Sequence, residues 1–194
     1  MSRDFVTVVS GLPRSGTSML MRMLDAGGIP AVTDGLRTAD EDNPRGYFEL
    51  EAVKKLPDEA VWVGSAVGRS VKVVSALLDK LPEAFAYRVV FVERDVTEVL
   101  ASQRRMLERR GEPTDRMPDD AMAALFRKHV ASVVARAASR PEMRLLRLAH
   151  SDVLASPGLA AETLDDFLGG GLHRHAMSAA VDGSLWRQRA LVPS

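Results

Sequence analysis

Val6-Thr7-Val8-Val9-Ser10, then Gly11-Leu12-Pro13-Arg14-Ser15-Gly16-Thr17-Ser18, then Met19-Leu20-Met21-Arg22-Met23-Leu24, is a stretch that reads as strand, glycine-punctuated turn and amphipathic helix. A turn of this kind gathers several backbone N–H groups, and the helix behind it adds the positive end of its dipole, so the stretch predicts an anion site suited to phosphate. The spacing Gly11-x4-Gly16, with Ser18 two residues on, matches the phosphate-binding loop G-x-x-x-x-G-K-[ST] except at one position. Thr17 stands where enzymes of nucleoside triphosphates carry lysine, and the cation has moved into the loop as Arg14. The plain alternative is that Gly11 and Gly16 only shape a tight strand-to-helix turn, and two glycines alone would not decide between the readings. The apolar run before them, the Ser15, Thr17 and Ser18 hydroxyls and the internal arginine favour anion binding.

The rest of the composition sets bounds. A chain of 194 residues is long enough for one domain with its own core. With no cysteine, disulfides, thiolate metal sites and cysteine nucleophiles are excluded. The 26 basic and 26 acidic residues balance, which argues against nucleic-acid binding through a broad positive field and requires any anion site to be local. The first apolar stretch is short and lacks a basic leader. No later run approaches the ~20 residues that span a bilayer, so no membrane span is expected and a cytoplasmic protein is.

Outward from the first helix, Gly27-Gly28 ends it, Ile29 to Val32 opens a short strand, and the polar stretch Thr33 to Gly46 is a surface loop. A short helix is expected over Glu49 to Leu56. Val71 to Val74, Arg88 to Val92 and Met143 to Leu148 read as buried strands, and their non-alternating apolar runs suit a parallel sheet covered on both faces. Asp95 with Glu98 forms a capping box that opens a helix to about Arg110, stopped by Gly111. Pro118-Asp119-Asp120 opens another, with Met122, Leu125, Phe126, His129, Val130 and Val133 at helical spacing, which makes His129 a core-face histidine. A last helix from Leu159 to Leu168 stops at Gly169-Gly170-Gly171. The fold class is therefore α/β: a three-layer α/β/α arrangement with a central parallel sheet, of the P-loop nucleotide-binding type, with its ligand at the C-terminal edge of the strands.

A second constellation follows the strand Arg88 to Val92. Arg94 lies just beyond it and Ser102 eight residues later, about two helical turns from the helix start, so the two side chains can grip one anion from two directions. Glu93 is an acid after a strand, a magnesium-holding position, but its neighbour Arg94 competes with a cation for it.

Together the two motifs resemble the sulfotransferases that use 3′-phosphoadenosine 5′-phosphosulfate (PAPS) as donor. In that family a Pro-(Lys/Arg)-x-Gly-Thr-(Thr/Ser) loop holds the 5′-phosphosulfate, and an arginine with a serine eight residues later holds the 3′-phosphate. The matching residues are Pro13, Arg14, Gly16, Thr17 and Ser18, with Ser15 between them, then Arg94 and Ser102. Asn43-Pro44-Arg45-Gly46-Tyr47-Phe48-Glu49, the Lys72 strand followed by Leu81-Pro82, and the tail Val181 to Arg189 also look like segments of bacterial members. The chain is short for the family, leaving little room for acceptor-binding insertions.

The resemblance implies transfer of a sulfuryl group to a hydroxyl or amine of a small-molecule or carbohydrate acceptor, with PAPS as co-substrate and no metal. Positioning and charge stabilisation dominate such displacements. Residues 14 to 18 would grip the donor, and Arg14 would stabilise charge on the leaving oxygen. For the base, His129, His150, His173 and His175 all lie late in the chain, far from the loop region where members of the resembled family carry their base. Glu49 is expected instead, with Glu51 second, because some bacterial and carbohydrate-directed members of the resembled family use a glutamate there, and Tyr47 and Phe48 would desolvate the carboxylate and raise its pKa; a solvated acid in a first helical turn is the plain alternative. A small kinase or nucleotide hydrolase with an altered loop, and a non-catalytic nucleotide-binding protein, remain the other readings.

Overall fold

The computed structural model describes residues 3–37, 46–114 and 117–185. Four strands form one sheet: β1 Val6–Gly11, β2 Ser70–Val74, β3 Tyr87–Glu93 and β4 Met143–Ala149, in the order β2-β1-β3-β4. Every pairing is parallel, and Gly11 is level with both Val74 and Val92, so the C-terminal ends of the three strands β2, β1 and β3 form one edge. All six residues of β1 are buried, the condition that removes alternation from its sequence.

The helices are α1 Thr17–Ala26, α2 Trp62–Ser65, α3 Val96–Arg109, α4 Asp119–Ser139, α5 His150–Ala155, α6 Pro157–Phe167 and α7 Arg174–Ala179. On one face Met21 and Leu24 of α1, Leu164 of α6 and Met177 of α7 pack with Val9 and Val90. On the other, Val63 of α2 with Val133 and Ala137 of α4 packs with Val8, Val71 and Val89. The expected three-layer α/β/α fold with a central parallel sheet is the observed one.

Several local expectations need correction. Ile29 to Val32 forms no strand; a single parallel bridge joins Ala31 to Ser70. The helix expected over Glu49 to Leu56 is a 3-10 turn, Glu51–Lys55, so Glu49 precedes it and is not a first-turn helical acid. In α4 Leu125 is 51% exposed, while Ala123, Val133 and Ala137 are buried. Val130 and Val133 of the expected stripe do pack on the core, but the contact face also takes in Ala123 and Ala137, small residues that admit close approach and that a stripe drawn through large side chains misses. Of the capping box, the Asp95 half forms: its carboxylate accepts from Thr97 N at 2.8 Å and Glu98 N at 3.3 Å. Glu98 sets its own carboxylate on Arg94. Helices α2, α5 and α7, with 4, 6 and 6 residues, are too short to show a period in sequence. Of the segments that carried the resemblance, Asn43, Pro44 and Arg45 and the tail Trp186 to Arg189 lie outside the described residues.

Leu24 is fully buried where α1 meets the sheet. Leu24→Ala is expected to cost about 2–5 kcal/mol in urea unfolding, through lost transfer energy and a cavity; a loss under about 1 kcal/mol would mean that α1 is not packed as described.

Candidate functional site

The loop after β1 has its shape fixed from three sides. Gly11 leaves room for a hydrogen only, since a Cβ there would lie 2.5 Å from Ser15 Oγ and 2.7 Å from the Val92 carbonyl. Arg14 takes a left-handed conformation with φ 74°, unusual for a residue with a side chain. Gly16 caps α1 with φ 105°, and a Cβ there would meet the His150 ring at 2.5 Å. The first turn of α1 contains no acid, so no side-chain charge offsets the positive end of the helix dipole at the loop. Ser15 Oγ, in a residue 1% exposed, has no hydrogen-bond partner among the described residues. A buried hydroxyl of that kind fits a loop that closes on an oxyanion.

Arg14 joins this loop to the second motif. Its Nε donates to Ser102 Oγ at 3.0 Å, and its carbonyl accepts from Arg94 Nη1 at 3.1 Å. Arg94 Nε also donates to buried Glu98 at 2.8 Å, and Gln103 Nε2 reaches the Pro13 carbonyl at 3.3 Å. Arg14, Arg94 and Ser102, separated by up to 88 residues, thus share one hydrogen-bonded cluster.

A third group was not expected from the sequence. Lys72, on β2 with its side chain 8% exposed, donates to the Tyr47 carbonyl and to Glu49 Oε1 at 3.2 Å. The same Tyr47 carbonyl accepts from Ser18 Oγ at 3.5 Å, which ties the loop to this pair. Burial pulls the Lys72 pKa below the ordinary lysine value against the opposing pull of Glu49. A lysine inside the apolar run Val71 to Val74 was the available signal, since a buried ammonium needs a reason.

Glu49 departs from its expected electrostatics. Burial does push its pKa up, but Lys72 and Arg37 together pull harder, and the carboxyl sits below the usual range. Arg37 Nη1 donates to both Glu49 oxygens at 3.1 and 3.2 Å, and its guanidinium lies 3.5 Å above the Tyr47 ring centroid. The aromatic neighbour therefore supports a cation that stabilises the charged form. Glu51 accepts from Lys54 at 2.7 Å. Both acids face a cavity of about 440 Å³ whose wall also includes Arg37, Lys54 and Arg110.

Two of the late histidines sit near the loop after β1 and the end of β2. His150, at the start of α5, packs against Gly16, and His129 Nε2 lies 2.9 Å from Ser75 Oγ just past β2. Crossing the sheet edge brings these late residues back, which distance along the chain conceals. Glu93 is engaged by Arg147 rather than Arg94, through bonds of 2.9 and 3.1 Å. Among the described residues no helix is long and apolar enough to cross a membrane.

No family model matches the sequence, and no curated protein matches it. Solved structures do resemble it. The sulfotransferase domain of the Synechococcus PCC 7002 olefin synthase is 16% identical, aligned over 100% of this chain and 90% of its own, with a TM-score of 0.57. A sulfotransferase of Mycobacterium tuberculosis H37Rv is 16% identical over 93% of this chain and 72% of its own, with a TM-score of 0.57. A mouse sulfotransferase solved in complex with PAP is 16% identical over 92% of this chain and 63% of its own, with a TM-score of 0.51. What this likeness shows is the fold: the chain has that of the sulfotransferases.

Burial first, and then the positive charge of Arg94, lowers the His150 pKa from 6.5 to about 4. The folded state keeps His150 neutral while the unfolded chain takes up a proton, so stability is present above pH 6.5 and lost as pH falls toward 4. This one group contributes up to about 3 kcal/mol of that loss. The stability difference between the parent chain and His150→Gln, from urea unfolding at several pH values, is expected to shrink steadily across that interval; a constant difference would contradict the depressed pKa.

Proposed function

We propose that the chain is a sulfotransferase that moves a sulfuryl group from PAPS to a hydroxyl or amine acceptor. The observation that carries this reading is Arg14, whose side chain reaches Ser102 while its carbonyl holds Arg94, so that two anion-binding motifs form one site. The shared sulfotransferase fold supports it, as does the mouse neighbour solved with PAP. The donor, when bound, supplies a sulfuryl group on a phosphate leaving group.

The residues divide the work by charge. The N–H groups of residues 14 to 18, with the Ser15, Thr17 and Ser18 hydroxyls, bind the 5′-phosphate end. Arg94 and Ser102 bind the 3′-phosphate, and Glu98 fixes the Arg94 guanidinium for that task. Arg14 places positive charge where the bridging oxygen gains electrons, and the buried Lys72 adds to it. As the sulfur–oxygen bond to the phosphate breaks and a bond to the acceptor forms, Glu49 takes the acceptor proton. Its low pKa keeps it ionised and able to receive at neutral pH, at the cost of a small driving force. No step in this reading is assigned to a metal ion.

Arg94→Ala is expected to weaken adenosine 3′,5′-bisphosphate roughly 10–100-fold in a calorimetric titration and adenosine 5′-phosphate hardly at all. Arg94→Lys, which leaves Glu98 with a cation, checks that folding is intact. Equal losses for the two ligands would remove Arg94 from the 3′-phosphate site.

Glu49→Gln is expected to lower turnover about 10²-fold, the weak end of proton-transfer catalysis, with donor affinity unchanged. Followed as transfer from radiolabelled PAPS, the parent's kcat is expected to show no acidic limb between pH 6 and 8, since Glu49 titrates lower. Turnover within a fewfold of the parent would hand the role to Glu51.

A further inference from the structure

The cavity beside Glu49 has a wall unlike that of a pocket for an apolar ligand. Its charged groups are Asp34, Glu49, Glu51, Arg37, Lys54 and Arg110, and Leu36 is its one apolar lining residue among the described residues. Acids and bases are equal in number and interleaved: Arg37 holds Glu49 at 3.1 Å, and Lys54 holds Glu51 at 2.7 Å. The Asp34 carboxylate is tied to the wall's own backbone through Glu51 N at 2.5 Å and Leu36 N at 3.0 Å. Glu49 is part of the cavity's wall; its Oε1 accepts from Lys72, and Lys72 shares the Tyr47 carbonyl with Ser18 of the loop. It therefore opens beside the place where transfer would occur.

From this wall we infer that the acceptor is a neutral polyhydroxylated molecule, a sugar or cyclitol, bound in this cavity through its hydroxyls; the inference rests on the sulfotransferase reading for the word acceptor, not for the binding. A phenol or steroid would strip water from six charged groups and find almost no apolar contact among the described residues. An anion would meet three carboxylates, and a cation three basic groups. A hydroxyl both donates and accepts, so a polyol can give hydrogen bonds to the carboxylates and take them from the guanidinium and ammonium groups without disturbing the pairs. The Tyr47 ring is buried, with Arg37 over one face, and so offers no open face on which an aromatic acceptor would stack.

Saturation-transfer NMR on the full chain tests this with three probes: trehalose, myo-inositol and 2-naphthol, each with and without adenosine 3′,5′-bisphosphate. One of the polyols is expected to receive saturation and 2-naphthol none. Lys54→Ala and Arg110→Ala, at residues away from the core, are expected to weaken the polyol about tenfold each. Binding of 2-naphthol but neither polyol, binding of no probe, or polyol binding that both variants leave unchanged would overturn the inference. Polyol binding lost in the variants, in a chain that fails to bind adenosine 3′,5′-bisphosphate, would uphold the cavity's ligand class and remove the sulfotransferase reading instead.

Discussion

Arg14 is the residue on which the site depends. Its left-handed backbone turns its carbonyl toward Arg94 while its guanidinium meets Ser102. That conformation costs roughly 1–2 kcal/mol for a residue with a Cβ. A charge-assisted hydrogen bond contributes roughly 1.5–3 kcal/mol, so the two bonds made through Arg14 offset the strain. The loop after β1 and the start of α3 are thereby held in one arrangement. Gly11 and Gly16 serve the same end, since a methyl group at either would push Ser15 or His150 out of place.

Positive charge is concentrated without a positive protein. The formal net charge is +0, yet Arg14, Arg94 and Lys72 converge at one sheet edge and Arg37 stands behind them. Glu98 and Glu49 keep these cations in position. Buried and half-buried pairs of this kind add little net stability, because desolvation consumes most of the attraction. Their value is orientation: a guanidinium fixed by a carboxylate on one edge presents its remaining edge in a set direction.

The sheet was legible because β1 and the Val89–Val92 centre of β3 are buried on both faces and so read as mostly apolar runs without alternation, and the loop because its glycines and hydroxyls follow a spacing with a mechanical cause. Arg94 and Ser102 were legible as a pair, but not their attachment to Arg14, which depends on how β3 lies beside β1. Lys72 was visible as an anomaly in a strand without its meaning, since its partners come from Tyr47 and Glu49, far off in sequence. The direction of the Glu49 shift was misjudged because Tyr47 was weighed as a desolvating ring, whereas it carries Arg37 on its face and so adds a cation. His150 was set aside for its late position in the chain, whereas parallel crossovers return distant residues to one edge, a consequence of topology rather than of local pattern.

In the proposed function the loop and the Arg94–Ser102 motif form one site with two phosphate-binding poles. Calorimetric titration of the unaltered chain with adenosine 3′,5′-bisphosphate, beside ATP with magnesium and in the presence and absence of a chelator, tests it most directly. The expected result is saturable one-to-one binding of the bisphosphate, tighter than that of ATP with magnesium and indifferent to the chelator. Tighter binding of ATP with magnesium, or bisphosphate affinity that disappears with the chelator, would contradict the claim.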